Sequence, residues 1–332
     1  MSPGIRRGAV LIGLAVVLAL VVTASFALGT RAIDLSSTLA ALTGSGEGTD
    51  AMVVIDLRGP RTLIGLAAGL ALAVAGALMQ GVTRNPLADP GILGVNAGAS
   101  LLVVVAISVL GVSSVVGYVW FAFAGAALAT VLVYLVGSGR SGATPVSLTL
   151  AGAAVTALLT AVITLVLLTD LETLSQFRFW QVGSLTARDA GTVAVVLPFI
   201  AVGLLVAIAL GPRLNALSLG DDMATGLGQS VRATRIAAAT AIVLLCGGAT
   251  AIAGPIVFVG LVVPHVARRL VGPDYRWIIA YSVVLGPMLL LVADILGRLV
   301  VQPAELEAGL LVAALGAPVL VALVRGSRVS AL

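Results

Sequence analysis

Long apolar stretches with almost no charge follow one another along the whole chain, and they restrict its fold more than any other feature. A helix needs about 20 apolar residues to cross a bilayer. Only 10% of the 332 residues are charged and 60% are hydrophobic, whereas roughly 25% of the residues of a soluble domain are charged. The pattern predicts an all-α, polytopic membrane protein with a single transmembrane domain.

Ten transmembrane spans are predicted from the charged and Gly/Pro-rich breaks. They are 9–29, 62–83, 92–110, 117–137, 146–169, 190–211, 233–252, 255–267, 276–297 and 307–325. The seventh and eighth are separated at Gly254-Pro255, because proline lacks the amide proton that a helix interior needs. The eighth is short and contains Pro264, so we expect it to be tilted, broken or only partly inserted. The first could be a signal peptide, but its apolar run of about 20 residues exceeds the usual signal core, so it is interpreted as a retained helix.

The basic residues indicate the orientation of the chain. All 18 are arginine, and twelve fall on the side that holds both termini, against six on the other side. Because cytoplasmic loops are enriched in basic residues, both termini are predicted to be cytoplasmic. The arginines are spread thinly and form no block, so a nucleic-acid partner is not expected.

The composition excludes several kinds of chemistry. Without lysine the chain has no Walker A phosphate loop and no Schiff-base residue. Cys246 is the only cysteine and His265 the only histidine, so neither a disulfide framework nor a thiolate or histidine metal site is expected. We interpret His265 as a structural hydrogen-bonding residue. If transport needs ATP, then ATP and Mg²⁺ must be bound by another chain, and this chain is expected to bind no cofactor.

A turn and a short amphipathic segment stand out from the apolar background. The sequence QGVTRNPLADPGILG at 80–94 contains two helix-breaking X-Pro pairs. It predicts a rigid turn at the cytoplasmic end of the second span, although a plain loop would fit too. In the segment 217–231, Leu219, Met223 and Leu227 form one apolar stripe. Such a short cytoplasmic helix lies on a membrane or docks into a partner, and its acidic face favours a protein partner.

Two charged motifs lie near the predicted outer face. Asp294 and Arg298 are four residues apart and can form an ion pair on one helix face. An acid inside a membrane can also be a proton site, but no second acid continues a relay, so a structural ion pair is favoured. The motif RGPR at 58–61 has a counterpart in Arg232-Ala-Thr-Arg235, which is consistent with an inverted repeat and equally with ordinary interfacial anchors.

The motifs together resemble the FecCD family of ABC-transporter permeases, which import ferric siderophores, haem or cobalamin. The matching stretches cover nearly the whole chain in order. They are RGPR at 58–61, GALMQGVTRNPLADPGILGVNAGA at 76–99, LAGAAV at 150–155, LGDDMATGLG at 219–228, GPIVFVGLVVPHVARRLVG at 254–272, ADILGR at 293–298 and LGAP at 315–318. The first arginine motif carries Gly59 where the family often has leucine.

The resemblance implies a BtuC-like type II importer fold with ten transmembrane helices and an inverted repeat. It also implies a second permease subunit, two ATPase subunits and an external substrate-binding protein. The chain would then be a transport subunit, not an enzyme, in the cytoplasmic membrane of a bacterium. Ferric siderophore is the first choice of cargo, with haem or cobalamin as alternatives. Whether the permease pair contains one kind of chain or two stays open.

The family's functional positions transfer to residues of this chain. Docking to the binding protein falls on Arg58, Arg61 and Arg298, and the cytoplasmic gate falls on Asn85 and Leu87. The ATPase-coupling positions are Gly220, Asp221, Asp222, Met223, Ala224, Leu227 and Gly228.

The translocation pathway is implied to pass the face of the fifth span that carries Ala151 and Gly152. Two rival functions are alternatives to this assignment. One is a secondary transporter that couples protons through Asp294 and Arg298. The other is an intramembrane enzyme, which the absence of paired acids, of a nucleophile with a histidine partner and of a metal-ligand cluster disfavours.

Overall fold

Helices account for almost all of the structure, a computed structural model that describes residues 3–112, 114–139, 142–143, 145–186 and 190–327. The α-helices are α1 (Pro3–Ala27), α2 (Leu35–Leu42), α3 (Gly48–Met52), α4 (Gly59–Thr83), α5 (Val95–Ser108), α6 (Val115–Gly137), α7 (Pro145–Thr169), α8 (Leu171–Gln181), α9 (Ala190–Leu217), α10 (Asp221–Gly226), α11 (Val231–Ala253), α12 (Val259–Val271), α13 (Tyr275–Val300) and α14 (Ala308–Ser327). A π-helix (Val53–Arg58) precedes α4 and a 3-10 helix (Pro90–Leu93) precedes α5. Two-residue strands, β1 (Ser138–Gly139) and β2 (Gly142–Ala143), pair antiparallel. The expected all-α fold is confirmed.

Seven helical segments in the described part of the chain are long and apolar enough to cross a membrane. They are Gly4–Ala27, Gly48–Thr83, Val116–Gly137, Val146–Thr169, Gly191–Leu217, Val231–Ala253 and Tyr275–Val300. The remaining expected spans contain the shorter helices α5, α12 and α14. With 14 and 13 residues, α5 and α12 fall below the roughly 20 residues that a crossing needs.

The eighth expected span begins later than the sequence indicated. Residues 254–258 are not helical, and α12 runs instead from Val259 to Val271. Gly254 has φ +73, and Phe258, a non-glycine residue, has φ +69. These left-handed residues bracket the break, so Gly254-Pro255 ends one helix without starting the next.

Helix α4 lies at the centre of the fold and packs against α9, α11, α12 and α13. Its glycines allow neighbouring backbones to approach closely: a Cβ added at Gly69 would lie 2.7 Å from the carbonyl oxygen of Gly286, and one at Gly76 only 1.9 Å from that of Gly260. Small residues at such crossings are typical of helix packing in membranes. The high glycine and alanine content of the chain is therefore a packing requirement.

Helix α1 lies at the edge of the fold, with hardly any of its length buried. It packs mainly along α13. The hydroxyl of Tyr281 in α13 donates a hydrogen bond to the carbonyl of Arg7 near one end of α1, at 2.7 Å. The other end is held by arginine side chains, which form part of the site described next.

Candidate functional site

Arg61 is the centre of a buried ionic network at one end of α4. Its Nε donates to both carboxylate oxygens of Asp294, at 2.9 and 3.0 Å, and its Nη1 donates to Glu305 Oε2 at 2.6 Å. Asp294 also contacts Arg298 Nη2 at 2.9 Å through its second oxygen. Asp294 is completely buried, so one carboxylate bridges two guanidinium groups inside the protein.

Arg58 and Arg298 cap the end of α1, where helical carbonyls have no partner within the helix. Arg58 donates through Nη1 to the carbonyls of Phe26 and Ala27, at 2.6 and 2.8 Å, and through Nη2 to the carbonyl of Arg31. Arg298 donates to the carbonyl of Ser25 at 2.9 Å. A positive charge at a helix C-terminus is favourable, so these bonds attach α1 to α4 and α13.

We call Arg58, Arg61 and Arg298 the arginine cluster. The three residues are 5%, 8% and 2% exposed and direct their charges toward groups of their own chain. Their expected role in docking a binding protein stays a prediction. Of the three, Arg61 is the one paired with a partly exposed acid, since the side chain of Glu305 is 31% exposed.

The opposite end of α4 forms a tight turn, residues 84–89, which we call the gate turn. Arg84 ends the helix with φ +52, in the left-handed region. Asn85 Oδ1 accepts a hydrogen bond from the amide of Leu87 at 3.0 Å, and Asp89 Oδ1 accepts one from Gly91 at 2.8 Å. Burial raises the pKa of Asp89, and the bond from Gly91 opposes that shift. Local side-chain bonds thus fix the backbone of this turn.

A small cavity of about 80 Å³ lies beside the gate turn. Its walls come from α4, from the gate turn, from Ile92 and from the first turns of α7. The lining residues are Met79, Thr83, Asn85, Ala88, Ile92, Val146 and Thr149. Asn85 therefore shares this cavity with the start of α7, while Leu87 is half-buried and does not line it.

The segment 217–231, which we call the coupling segment, contains the short helix α10. Leu219, Met223 and Leu227 are 65%, 58% and 61% exposed, whereas Ala224 is buried against the rest of the protein. Gly220 has φ +110, which a residue with a side chain rarely adopts, and it allows the chain to turn from α9 into α10. The segment thus presents an apolar stripe that nothing in the described chain covers.

The expected pathway residues, by contrast, face the interior. Ala151 and Gly152 are both buried, and a Cβ added at Gly152 would lie 1.7 Å from the carbonyl oxygen of Ile92. These two residues pack α7 against the 3-10 helix that follows the gate turn, and their role in lining a pathway stays a prediction. The neighbouring Ala153 and Ala154 are exposed.

His265 does not make the structural hydrogen bonds expected of it. Its two ring nitrogens are buried and have no hydrogen-bond partner among the described residues. The polar groups at that end of α12 pair elsewhere, since Arg268 donates to Tyr275 Oη at 3.0 Å and to Gln80 Oε1 at 3.4 Å. His265 is therefore not the structural hydrogen-bonding residue that the sequence suggested.

Comparison with known proteins identifies the family. The sequence profile described as the FecCD transport family matches residues 17–326. The chain belongs to the FecCD transport family. This FecCD chain is accordingly a multi-pass transport subunit and not an enzyme, and the resemblance found in its motifs is confirmed. Membership implies that the chain works with another permease, an ATPase and a substrate-binding protein.

Similar proteins cover almost the full length of this FecCD chain. The ferric enterobactin transport system permease protein FepD of Escherichia coli strain K12 is 46% identical over 98% of this chain and 97% of its own. The hemin transport system permease protein HmuU of Yersinia pestis is 39% identical over 81% and 82%. A structure described as an inward-facing conformation of a transporter of the metal-chelate ABC type has a TM-score of 0.84 and 26% identity, and covers 96% of this chain and 99% of that one.

Some parts of the site carried little signal in the sequence of this FecCD chain. Glu305 lies 244 residues from Arg61, so no local pattern links them. The 11-residue α8 lies outside the predicted spans, because its mixture of polar and aromatic residues has no apolar run.

Proposed function

We propose that this chain is the permease subunit of a binding-protein-dependent ABC importer that moves ferric siderophore across the cytoplasmic membrane by alternating access. The exposed apolar stripe of the coupling segment carries this proposal, because it lies beside the gate turn and offers a site for a separate ATPase. The ATPase chains bind the ATP and Mg²⁺. Both termini and the coupling segment are cytoplasmic in this proposal.

The proposed cargo follows from the relatives. The name of FepD specifies ferric enterobactin, and FepD is more similar to this chain than HmuU, whose name specifies hemin. Haem is therefore the second candidate, and cobalamin a third from the family resemblance. We propose that two permease chains, identical or homologous, surround the pathway, with exposed faces of α7 such as that of Ala153 and Ala154 toward it.

Reconstitution tests the function directly. We expect vesicles that contain this permease with its ATPase to accumulate ferric siderophore. The loaded binding protein must be present outside the vesicles, and ATP must be present inside, on the side of the ATPase. Accumulation should persist when the proton gradient is collapsed. Uptake that needs the proton gradient and not ATP would support the secondary transporter instead. The contacts of Asp294 with two arginines are those of a structural ion pair.

Changing Met223 to aspartate should weaken binding of the ATPase. Met223 lies in the middle of the exposed apolar stripe, and a buried charge without a partner would oppose docking into an apolar cleft. We expect at least about a tenfold loss of ATPase in co-purification, which corresponds to 1.4 kcal/mol. Leu171→Asp, at an exposed apolar residue outside the coupling segment, is the control. Equal retention of the ATPase by both variants would contradict the proposed docking site.

Docking of the binding protein is proposed to involve Arg61, the member of the arginine cluster with a partner at the surface. A carboxylate of the binding protein would have to replace Glu305 at Arg61 Nη1. Glu305→Gln should therefore strengthen docking about threefold to tenfold at low salt, measured by binding of the loaded protein to vesicles. Asp56→Asn removes an exposed acid outside the cluster and controls for overall charge. Weaker or unchanged docking of the glutamine variant would argue against Arg61 as the residue that contacts the binding protein.

A further inference from the structure

We propose that Asp221 is a positioning residue that connects the coupling segment to the gate turn, through an ion pair with Arg84. The proposal rests on the proposed function, since it takes the coupling segment as the part that an ATPase contacts. It adds a specific route by which displacement of α10 reaches Asn85 and Leu87. The route uses side chains at the surface, outside the apolar core.

The geometry brings three elements to one carboxylate. Asp221 is the first residue of α10, and its Oδ1 lies 3.3 Å from Arg84 Nη2 at the end of α4. The same carboxylate accepts from Arg235 Nη2 of α11, at 2.9 Å to Oδ2 and 3.2 Å to Oδ1. Arg84 directly precedes Asn85 in the chain, so the first of these contacts reaches the gate turn itself.

The backbone on both sides of the Asp221–Arg84 contact is closely defined. Arg84 has a left-handed conformation with φ +52, and Gly220, directly before Asp221, has φ +110. Within the gate turn, Asn85 Oδ1 holds the amide of Leu87. Because the backbone of the turn is fixed, a displacement of Arg84 also displaces Asn85 and Leu87.

The Asp221–Arg84 ion pair is better suited to transmitting a displacement of α10 than to stabilising the fold. The side chains of Arg84, Asp221 and Arg235 are 37%, 40% and 31% exposed, and ion pairs at such exposure contribute little to folding stability. Variants that lose the contact are therefore expected to fold and to enter the membrane. At its upper limit an exposed ion pair reaches the lower end of the coupling between sites, which is about fivefold.

The experiment measures siderophore uptake and phosphate release on the same vesicles, which contain the permease, its ATPase and the loaded binding protein. Arg84→Gln breaks the contact with the gate turn and leaves the coupling segment unchanged. We expect uptake per ATP hydrolysed to fall up to about fivefold, with ATPase retention and basal hydrolysis within twofold of the wild type. Arg232→Gln, three residues before Arg235 on α11 and exposed, is the matched control and should behave as the wild type.

A double-variant cycle separates this contact from a general effect of charge. If Asp221 acts through Arg84, Arg84→Gln should lower the uptake ratio little further in an Asp221→Asn background. Fully independent losses would overturn the proposal, and so would an unchanged uptake ratio in Arg84→Gln. A parallel loss of uptake, hydrolysis and ATPase binding in Arg84→Gln would show a purely structural role and overturn it too. A wild-type permease that neither retains an ATPase nor transports with ATP would instead overturn the proposed function.

Discussion

Replacing Asp294 with asparagine is expected to destabilise the protein by about 3 to 5 kcal/mol, because it leaves two buried arginines without their shared counter-charge. Asp294 is completely buried, and both of its oxygens accept hydrogen bonds from guanidinium groups. An asparagine amide would place a donor opposite one of those donors. The expected result is a large fall in the melting temperature of the detergent-solubilised permease.

Two controls define the interpretation of that result. Asp56→Asn makes the same chemical change at an exposed carboxylate, and we expect it to leave the melting temperature nearly unchanged. Glu305→Gln removes the more exposed acid from the same network, and we expect an intermediate loss. If Asp294→Asn unfolds at the wild-type temperature, then Asp294 does not compensate the arginine cluster.

Changing Gly76 to alanine is expected to cost about 3 kcal/mol, at the upper end of the usual range for overpacked cores. The added Cβ would lie 1.9 Å from the carbonyl oxygen and 2.4 Å from the carbonyl carbon of Gly260. These are backbone atoms, so no side-chain rotation can relieve the clash. Helices α4 and α12 would have to separate, and we expect a low yield of monodisperse protein and a lower melting temperature.

Gly13→Ala is the matched control for Gly76→Ala. Gly13 also lies inside a helix, α1, but an added Cβ there would meet no atom within 4 Å. Alanine is the better helix former by up to about 1 kcal/mol, so this variant should be as stable as the wild type or slightly more stable. Equal stability of the two alanine variants would mean that the α4–α12 crossing is looser than the structure indicates.

The sequence was sufficient for the all-α class and the family, because both depend on features that are local in the chain. Apolar length predicts a membrane helix, and the turn around Asn85 and Leu87 is defined by prolines next to it. The position of Arg58 and Arg298 could not be predicted in this way. An arginine near a helix end suggests a surface contact, and only the position of α1 shows that its open carbonyls accept both side chains.

The burial of Ala151 and Gly152 illustrates the same limit. The fifth span is apolar all round, so its sequence does not show which face meets the protein and which meets a partner or lipid. The contact between Gly152 and Ile92 depends on how the chain returns after the gate turn. Helix α8 could not be predicted for a different reason. An Asp170 cap and the packing of Phe177 and Trp180 stabilise it, and its sequence is neither long and apolar nor amphipathic.

The attachment of α1 has a consequence for biosynthesis. Tyr281 and Arg298, which bond to its two ends, lie 274 and 273 residues away from their acceptors in Arg7 and Ser25, while Arg58 bonds to one end from nearby in the chain. During translation α1 emerges long before its main partner α13. Helix α1 must therefore stay in the bilayer without α13 through most of the synthesis of the chain. Its nearly uniform apolar surface makes it stable there.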